Sequence, residues 1–150
     1  MSLEHELLDS FKQKQWTLSF AESCTGGDLA ARLTKVPDAS KVFLGSIVAY
    51  SEQLKKGFLA VSPELIPDKV VSEQMAQEMV KGLSCLLDAT VCVSVTGWAG
   101  PAGPEVGNIW IAYQKKGESP KTENLHLQGD RGQMIQQIGD HIFTYLKNLV

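Results

Sequence analysis

Residues 16–34 read Trp16-Thr17-Leu18-Ser19-Phe20-Ala21-Glu22-Ser23-Cys24-Thr25-Gly26-Gly27-Asp28-Leu29-Ala30-Ala31-Arg32-Leu33-Thr34. The order is an apolar run, a turn of hydroxyls and glycines, then apolar residues at helical spacing. It predicts a strand over 17–21, buried on both faces, and a helix over 25–34 that stops near Pro37. A turn of this kind directs hydroxyls and the first unpaired helix N–H groups to one spot beyond the sheet. An anion, or an oxyanion forming during a reaction, can be held there. Two glycines let a ligand come close to the backbone.

Working outward, Leu3, Leu7, Leu8 and Phe11 lie on one face of a first helix. Residues 42–50 form a β-type run, and Ser51 is placed to cap a short helix after it. Ser62-Pro63-Glu64 starts another helical turn. Ser72 opens a longer helix with Met75, Met79, Leu83 and Leu86 on one stripe. Residues 91–95 read as a strand ending at Thr96-Gly97, and the glycines and prolines of 100–104 make a loop. Strands are expected over 108–114 and 122–127. Asp130 and Gln133 have capping-box spacing for a final helix carrying Met134, Ile138, Ile142 and Leu146 inward.

Strands alternating with helices predict an α/β sandwich. The connection over 115–121 is too short for a parallel crossover, so at least one strand runs antiparallel and the sheet is mixed. Ligands of open α/β sheets bind beyond the carboxyl ends of the strands. Ser23, Tyr50 and Thr96 all fall just past such ends.

The chain has 150 residues, a net charge of −3 and 43% hydrophobic residues, which suits one globular domain with one core. That charge, without a dense basic run, does not favour nucleic acid as a partner. No apolar run is long enough to span a bilayer. The acidic N-terminus lacks the basic start of a signal peptide, and a cytoplasmic location is expected. Cys24, Cys85 and Cys92 form no CxxC pair, an odd count that fits a reducing compartment. His5, His126 and His141 have no metal-ligand spacing, and no metal or organic cofactor is expected. His141 is expected on the exposed side of the last helix.

A serine nucleophile needs a base, and no histidine is placed to serve Ser23. Lys55 stands one helical turn beyond Tyr50, and lysine becomes a base where burial or a neighbouring cation lowers its pKa. The alternative is that Ser23 and Thr25 only cap a helix while Lys55 is a solvated charge. Glu22 is read either as a group that orients the lysine or acts as an acid/base, or as a salt-bridge partner. Cys24, a rival nucleophile, reads better as a small buried hydrophobe. Tyr50 can hold Lys55 or a substrate. The segment 96–103 permits close backbone approach but lacks the form of a dinucleotide or P-loop motif. Arg131 opposes the dipole of the helix it begins, and an anionic ligand would account for it.

Ala21-Glu22-Ser23-Cys24-Thr25-Gly26-Gly27, Val36-Pro37-Asp38-Ala39-Ser40, Tyr50-Ser51 with Lys55, Val71-Ser72 and Thr96-Gly97-Trp98-Ala99-Gly100-Pro101 together resemble the CinA C-terminal domain family. The likeness runs from about Glu6 into the last helix. It implies one domain over 1–150, a three-layer α/β/α sandwich with a mixed, mostly parallel five-stranded sheet, and a homo-oligomer. It also implies amide hydrolysis, converting nicotinamide mononucleotide to nicotinate mononucleotide and ammonia without an organic cofactor. Carried over position by position, Ser23, Lys55 and Tyr50 are the catalytic residues. Thr25, Gly26, Gly27, Ser40, Thr96, Gly97, Gly100 and Arg131 bind the substrate. Within that assignment, N–H groups near Thr25-Gly26-Gly27 hold the oxyanion, while Arg131, Ser40 and Thr96 hold the phosphate. The chain departs from the family pattern in a shortened loop at 102–107, in Glu52 for a usual Asn, in Asn108 for a common Thr, and in Ile135 for a frequent Arg. These departures give a second reading, a catalytically impaired nucleotide-binding or regulatory protein on the same fold.

Overall fold

The computed structural model describes residues 1–150. In chain order the elements are α1 (Leu3–Lys14), β1 (Leu18–Glu22), α2 (Asp28–Thr34), β2 (Phe43–Val48), α3 (Glu52–Leu59), α4 (Glu73–Leu86), β3 (Val91–Gly97), β4 (Asn108–Lys115), β5 (Lys121–His126) and α5 (Arg131–Leu149). Short 3-10 turns occur at Ala39–Lys41 and Pro63–Leu65. No helix is long and apolar enough to cross a membrane.

The sheet order is β2-β1-β3-β4-β5. β1 pairs in parallel with both β2 and β3, while β4 is antiparallel to β3 and β5. Only β4 is therefore reversed, and the other four strands share one direction. The short 116–120 connection makes the β4–β5 pair a hairpin, as its length requires.

Alternation along the strands divides the interior. Leu18, Phe20, Val91, Val93, Val95, Ile109 and Ile111 meet α1, α2 and α5 in one cluster of 22 buried residues. Ala21, Cys92 and Ala112 meet α3 and α4 in a second cluster of 13. Both faces are covered, so β1 is buried at all five positions, its polar Ser19 and Glu22 included. The result is three layers, α/β/α.

Most strand ends shift by one or two residues from the sequence reading, and two differences bear on the site. α2 starts at Asp28 rather than Thr25, because Gly26 and Gly27 take φ of 61° and 104° and form a turn. Thr96 lies within β3 rather than beyond it. The Asp130–Gln133 capping box forms with both of its hydrogen bonds, each 2.8 Å long.

The α3–α4 contact sets the position of Lys55. α3 ends with Leu59 against Gly82 of α4, where an added methyl would run into the Leu59 carbonyl. Backbone cannot yield as a flexible side chain can, so Gly82→Ala is expected to destabilise the protein by about 1–3 kcal/mol. Thermal unfolding checks this: Tm should fall, and a variant melting like the original would show that the two helices do not pack as described.

Candidate functional site

β1 delivers Glu22 and then Ser23 to the carboxyl edge of the sheet. The Ser23 N–H is tied to the Val95 carbonyl at 3.2 Å and the Ala49 N–H to the Glu22 carbonyl at 2.8 Å. β2 ends nearby, and Ser51 caps α3 by accepting from the Leu54 N–H. That cap starts α3 in a register that turns Lys55 inward. Lys55 is only 4% exposed and Ser23 only 7%.

Lys55 Nζ stands 2.8 Å from Ser23 Oγ, 2.9 Å from the Ala49 carbonyl and 3.3 Å from the Tyr50 carbonyl. It pairs with no carboxylate. Burial lowers its pKa from the ordinary lysine value, opposed by smaller attractions from Cys24 and Glu52. Burial also pushes the Cys24 thiol up to about 12, so near neutral pH Glu52 is the standing counter-charge. The same burial leaves Cys24 almost entirely as the unreactive thiol. Of the two adjacent candidates, Ser23 is the one in contact with a base.

A neutral amine has two N–H groups and one lone pair. In that form, with the carbonyls of Ala49 and Tyr50 accepting both N–H groups, the lone pair would be left for the Ser23 hydroxyl. This is the geometry of a nucleophile and its general base.

Glu22 serves a different purpose from either reading of the sequence. It is fully buried and contacts no lysine. Its Oε1 accepts from the Thr25 hydroxyl at 2.8 Å, the Gly27 N–H at 3.2 Å and the Leu29 N–H at 3.0 Å, while Oε2 accepts from the Ala30 N–H at 3.1 Å. The carboxylate thus fills the anion-binding end of α2 itself.

Thr25, Gly26 and Gly27 are corrected accordingly. The Thr25 hydroxyl and the Gly27 N–H are taken by Glu22, and the Gly26 N–H by the Ser23 carbonyl at 3.0 Å. None of the three lines the cleft beside Ser23. The Cys24 and Thr25 N–H groups donate to no other residue, and of the two residues only Cys24 lines the cleft beside Ser23, which makes its N–H the candidate oxyanion donor.

That cleft has a volume of about 340 Å³, within the range of small-molecule sites. Ser23, Lys55, Tyr50, Thr96, Gly97, Gly100 and Arg131 all line it, together with Glu52, Val70, Val71 and Trp98. Tyr50 touches Lys55 through its main-chain carbonyl, not its phenol, which is a correction to its expected role. The 58% exposed phenol instead accepts from Arg131 Nη2 at 3.0 Å. Arg131 Nη1 donates to the Gly100 carbonyl at 2.7 Å. The guanidinium therefore links the turn after β2, the loop after β3 and the start of α5, and pairs with no carboxylate.

Two phosphate contacts do not assemble. The Thr96 hydroxyl donates to the Val70 carbonyl at 2.7 Å, leaving no proton for an anion. Ser40 borders a separate depression with Thr34, Val36 and Phe43, before the start of β2 and so at the opposite end of the sheet. His126 and His141 stay out of the cleft. His141 is half-buried against Glu123 at 3.0 Å instead of lying exposed. No group of three or more His, Cys, Asp or Glu side chains is assembled that could hold a metal ion.

The CinA C-terminal domain model matches residues 1–150. A CinA-like protein of Thermotoga neapolitana is 40% identical over 134 residues, 86% of this chain and 32% of that protein. One from Myxococcus xanthus is 36% identical over 94% of this chain and 35% of its own length. The chain thus spans about a third of the length of the curated relatives it matches. Among solved structures, the competence damage-inducible protein A of Klebsiella pneumoniae superposes with a TM-score of 0.92 at 31% identity, covering 97% of this chain and 93% of that one. The competence-damaged protein (CinA) superfamily protein of Escherichia coli gives 0.91 at 30% identity, covering 99% and 91%. Fold, motif order and these matches agree: the chain belongs to the CinA C-terminal domain family.

Proposed function

We propose that this chain is an amide hydrolase, converting nicotinamide mononucleotide to nicotinate mononucleotide and ammonia. The observation that carries the reading is the 2.8 Å contact between Ser23 Oγ and the buried, carboxylate-free Lys55 amine. Lys55 takes the Ser23 proton as Oγ attacks the carboxamide carbon. The Cys24 N–H faces the oxyanion; a donor of this kind contributes ~3–4 kcal/mol. As the tetrahedral centre collapses, the C–N bond breaks and Lys55 returns the proton to the departing nitrogen, which leaves as ammonia. Water then attacks the acyl-serine ester and gives its proton to Lys55. The acid leaves as Ser23 Oγ regains that proton. Arg131, held at the cleft mouth by Tyr50 and Gly100, meets the phosphate.

Incubating the purified chain with nicotinamide mononucleotide tests this. Ammonia and nicotinate mononucleotide should appear in equal amounts. A rise in Tm with the mononucleotide but no ammonia would favour a binding or regulatory protein on the same fold instead.

The pH dependence has a definite sign. Lys55 acts only when neutral, so kcat/KM should rise with pH through its lowered pKa. Glu52 opposes that lowering. In Glu52→Gln the acid limb should move to lower pH, as pH–rate profiles of the two proteins will show. An unmoved limb would mean that another group limits the rate.

A further inference from the structure

Two charged side chains of the cleft, Arg131 and Glu52, stand outside any ion pair. Arg131 spends its hydrogen bonds on neutral acceptors, the Gly100 carbonyl and the Tyr50 hydroxyl. Glu52, exposed in the first turn of α3, enters no ion pair or hydrogen bond, yet it lines the same cavity. Trp98 supplies an aromatic wall. Its main chain is held to the start of β4: the backbone N–H donates to the Asn108 carbonyl at 3.1 Å and the backbone carbonyl accepts from the Gly107 N–H at 2.7 Å. Gly103 packs on the indole so closely that an added Cβ would lie 3.0 Å from Cε3. Trp98 is half-buried and lines the cavity. Trp98 has no part in the steps assigned to Ser23 and Lys55, and Glu52 enters them only through its effect on the Lys55 amine.

We propose that Glu52 and Trp98 seat the cationic ring of a heteroaromatic amide while Arg131 meets its anionic end, so that the cleft selects a zwitterionic nucleotide over one with a neutral ring. This rests on the amide-hydrolase reading and adds the ring's charge to it. A cation gains from an indole face and from a nearby carboxylate, and a neutral ring of similar size forfeits both. The Arg131 contact is common to both ligands and cancels in the comparison.

The probes are nicotinamide mononucleotide, whose ring is a pyridinium, and its neutral 1,4-dihydro form. Calorimetry in a Ser23→Ala background prevents turnover of either. The oxidised form is expected to bind about tenfold tighter at low salt. Adding Glu52→Gln should reduce that preference several-fold while leaving the Kd of the dihydro form unchanged. Trp98→Leu should reduce it as well. Were Glu52 only a favourable charge at a helix start, Glu52→Gln would lower Tm slightly and leave the preference intact, which overturns the proposal. Equal affinity for the two forms, or binding of neither, overturns it too. Ammonia release by the unmodified chain is scored separately. Preference without release removes the hydrolase reading and keeps the charge assignment; release without preference does the reverse.

Discussion

Replacing Ser23 with alanine should reduce kcat/KM for ammonia release by about 10⁴-fold or more while the protein stays folded, since loss of a nucleophile removes the whole covalent route. The hydroxyl is small, and its removal leaves Lys55 with the Ala49 and Tyr50 carbonyls as partners. The expected Tm change is therefore slight. Lys55→Met keeps the length of the side chain and removes the amine. A lost general base costs ~10²–10⁴-fold. Because the two residues act as one unit, the double variant should be hardly slower than Ser23→Ala alone. Steady-state rates with matched melting curves check this. Additive losses would mean that the two side chains act independently.

The largest stability effect belongs to Glu22→Ala, which is expected to destabilise the protein by about 3–5 kcal/mol. Glu22 is fully buried, and three backbone N–H groups and one hydroxyl donate to it. Alanine would strand those donors away from water. It would also leave the positive end of α2 without an anion. For a chain of this size that amounts to a Tm loss on the order of 10 °C. Glu22→Gln keeps one oxygen acceptor but turns an NH₂ toward backbone donors, so its loss should be smaller and still clear. Ser23 follows Glu22 directly, so ammonia release should fall with Tm. A Glu22→Ala protein melting normally would show that water replaces the carboxylate at no cost.

The strand–turn–helix over 16–34 was legible because Leu18, Phe20 and Ala21 put apolar side chains on both faces of a strand and the glycines mark the turn. The meeting of Ser23, Tyr50 and Lys55 was legible for a topological reason, since parallel strands bring their carboxyl ends to one edge. What could not be read depends on partners distant in the chain. The Thr96 hydroxyl is used by Val70, 26 positions earlier, and the Tyr50 phenol by Arg131, 81 positions later. Ser40 was misplaced because residues just before a parallel strand arrive at the opposite end of the sheet. The role of Glu22 was hidden because a lone acidic residue after a strand carries no sign that the following turn folds back over it. Trp98 and Glu52 left only a faint signal, an aromatic inside a glycine-rich loop and an acid at a helix start.

The central claim is that Ser23 and Lys55 act together on a carboxamide. Ammonia released from nicotinamide mononucleotide by the purified chain, by Ser23→Ala and by Lys55→Met tests it most directly. Release by the first alone, with all three proteins melting as folded chains, is the predicted result. Undiminished release by either folded variant would contradict the account.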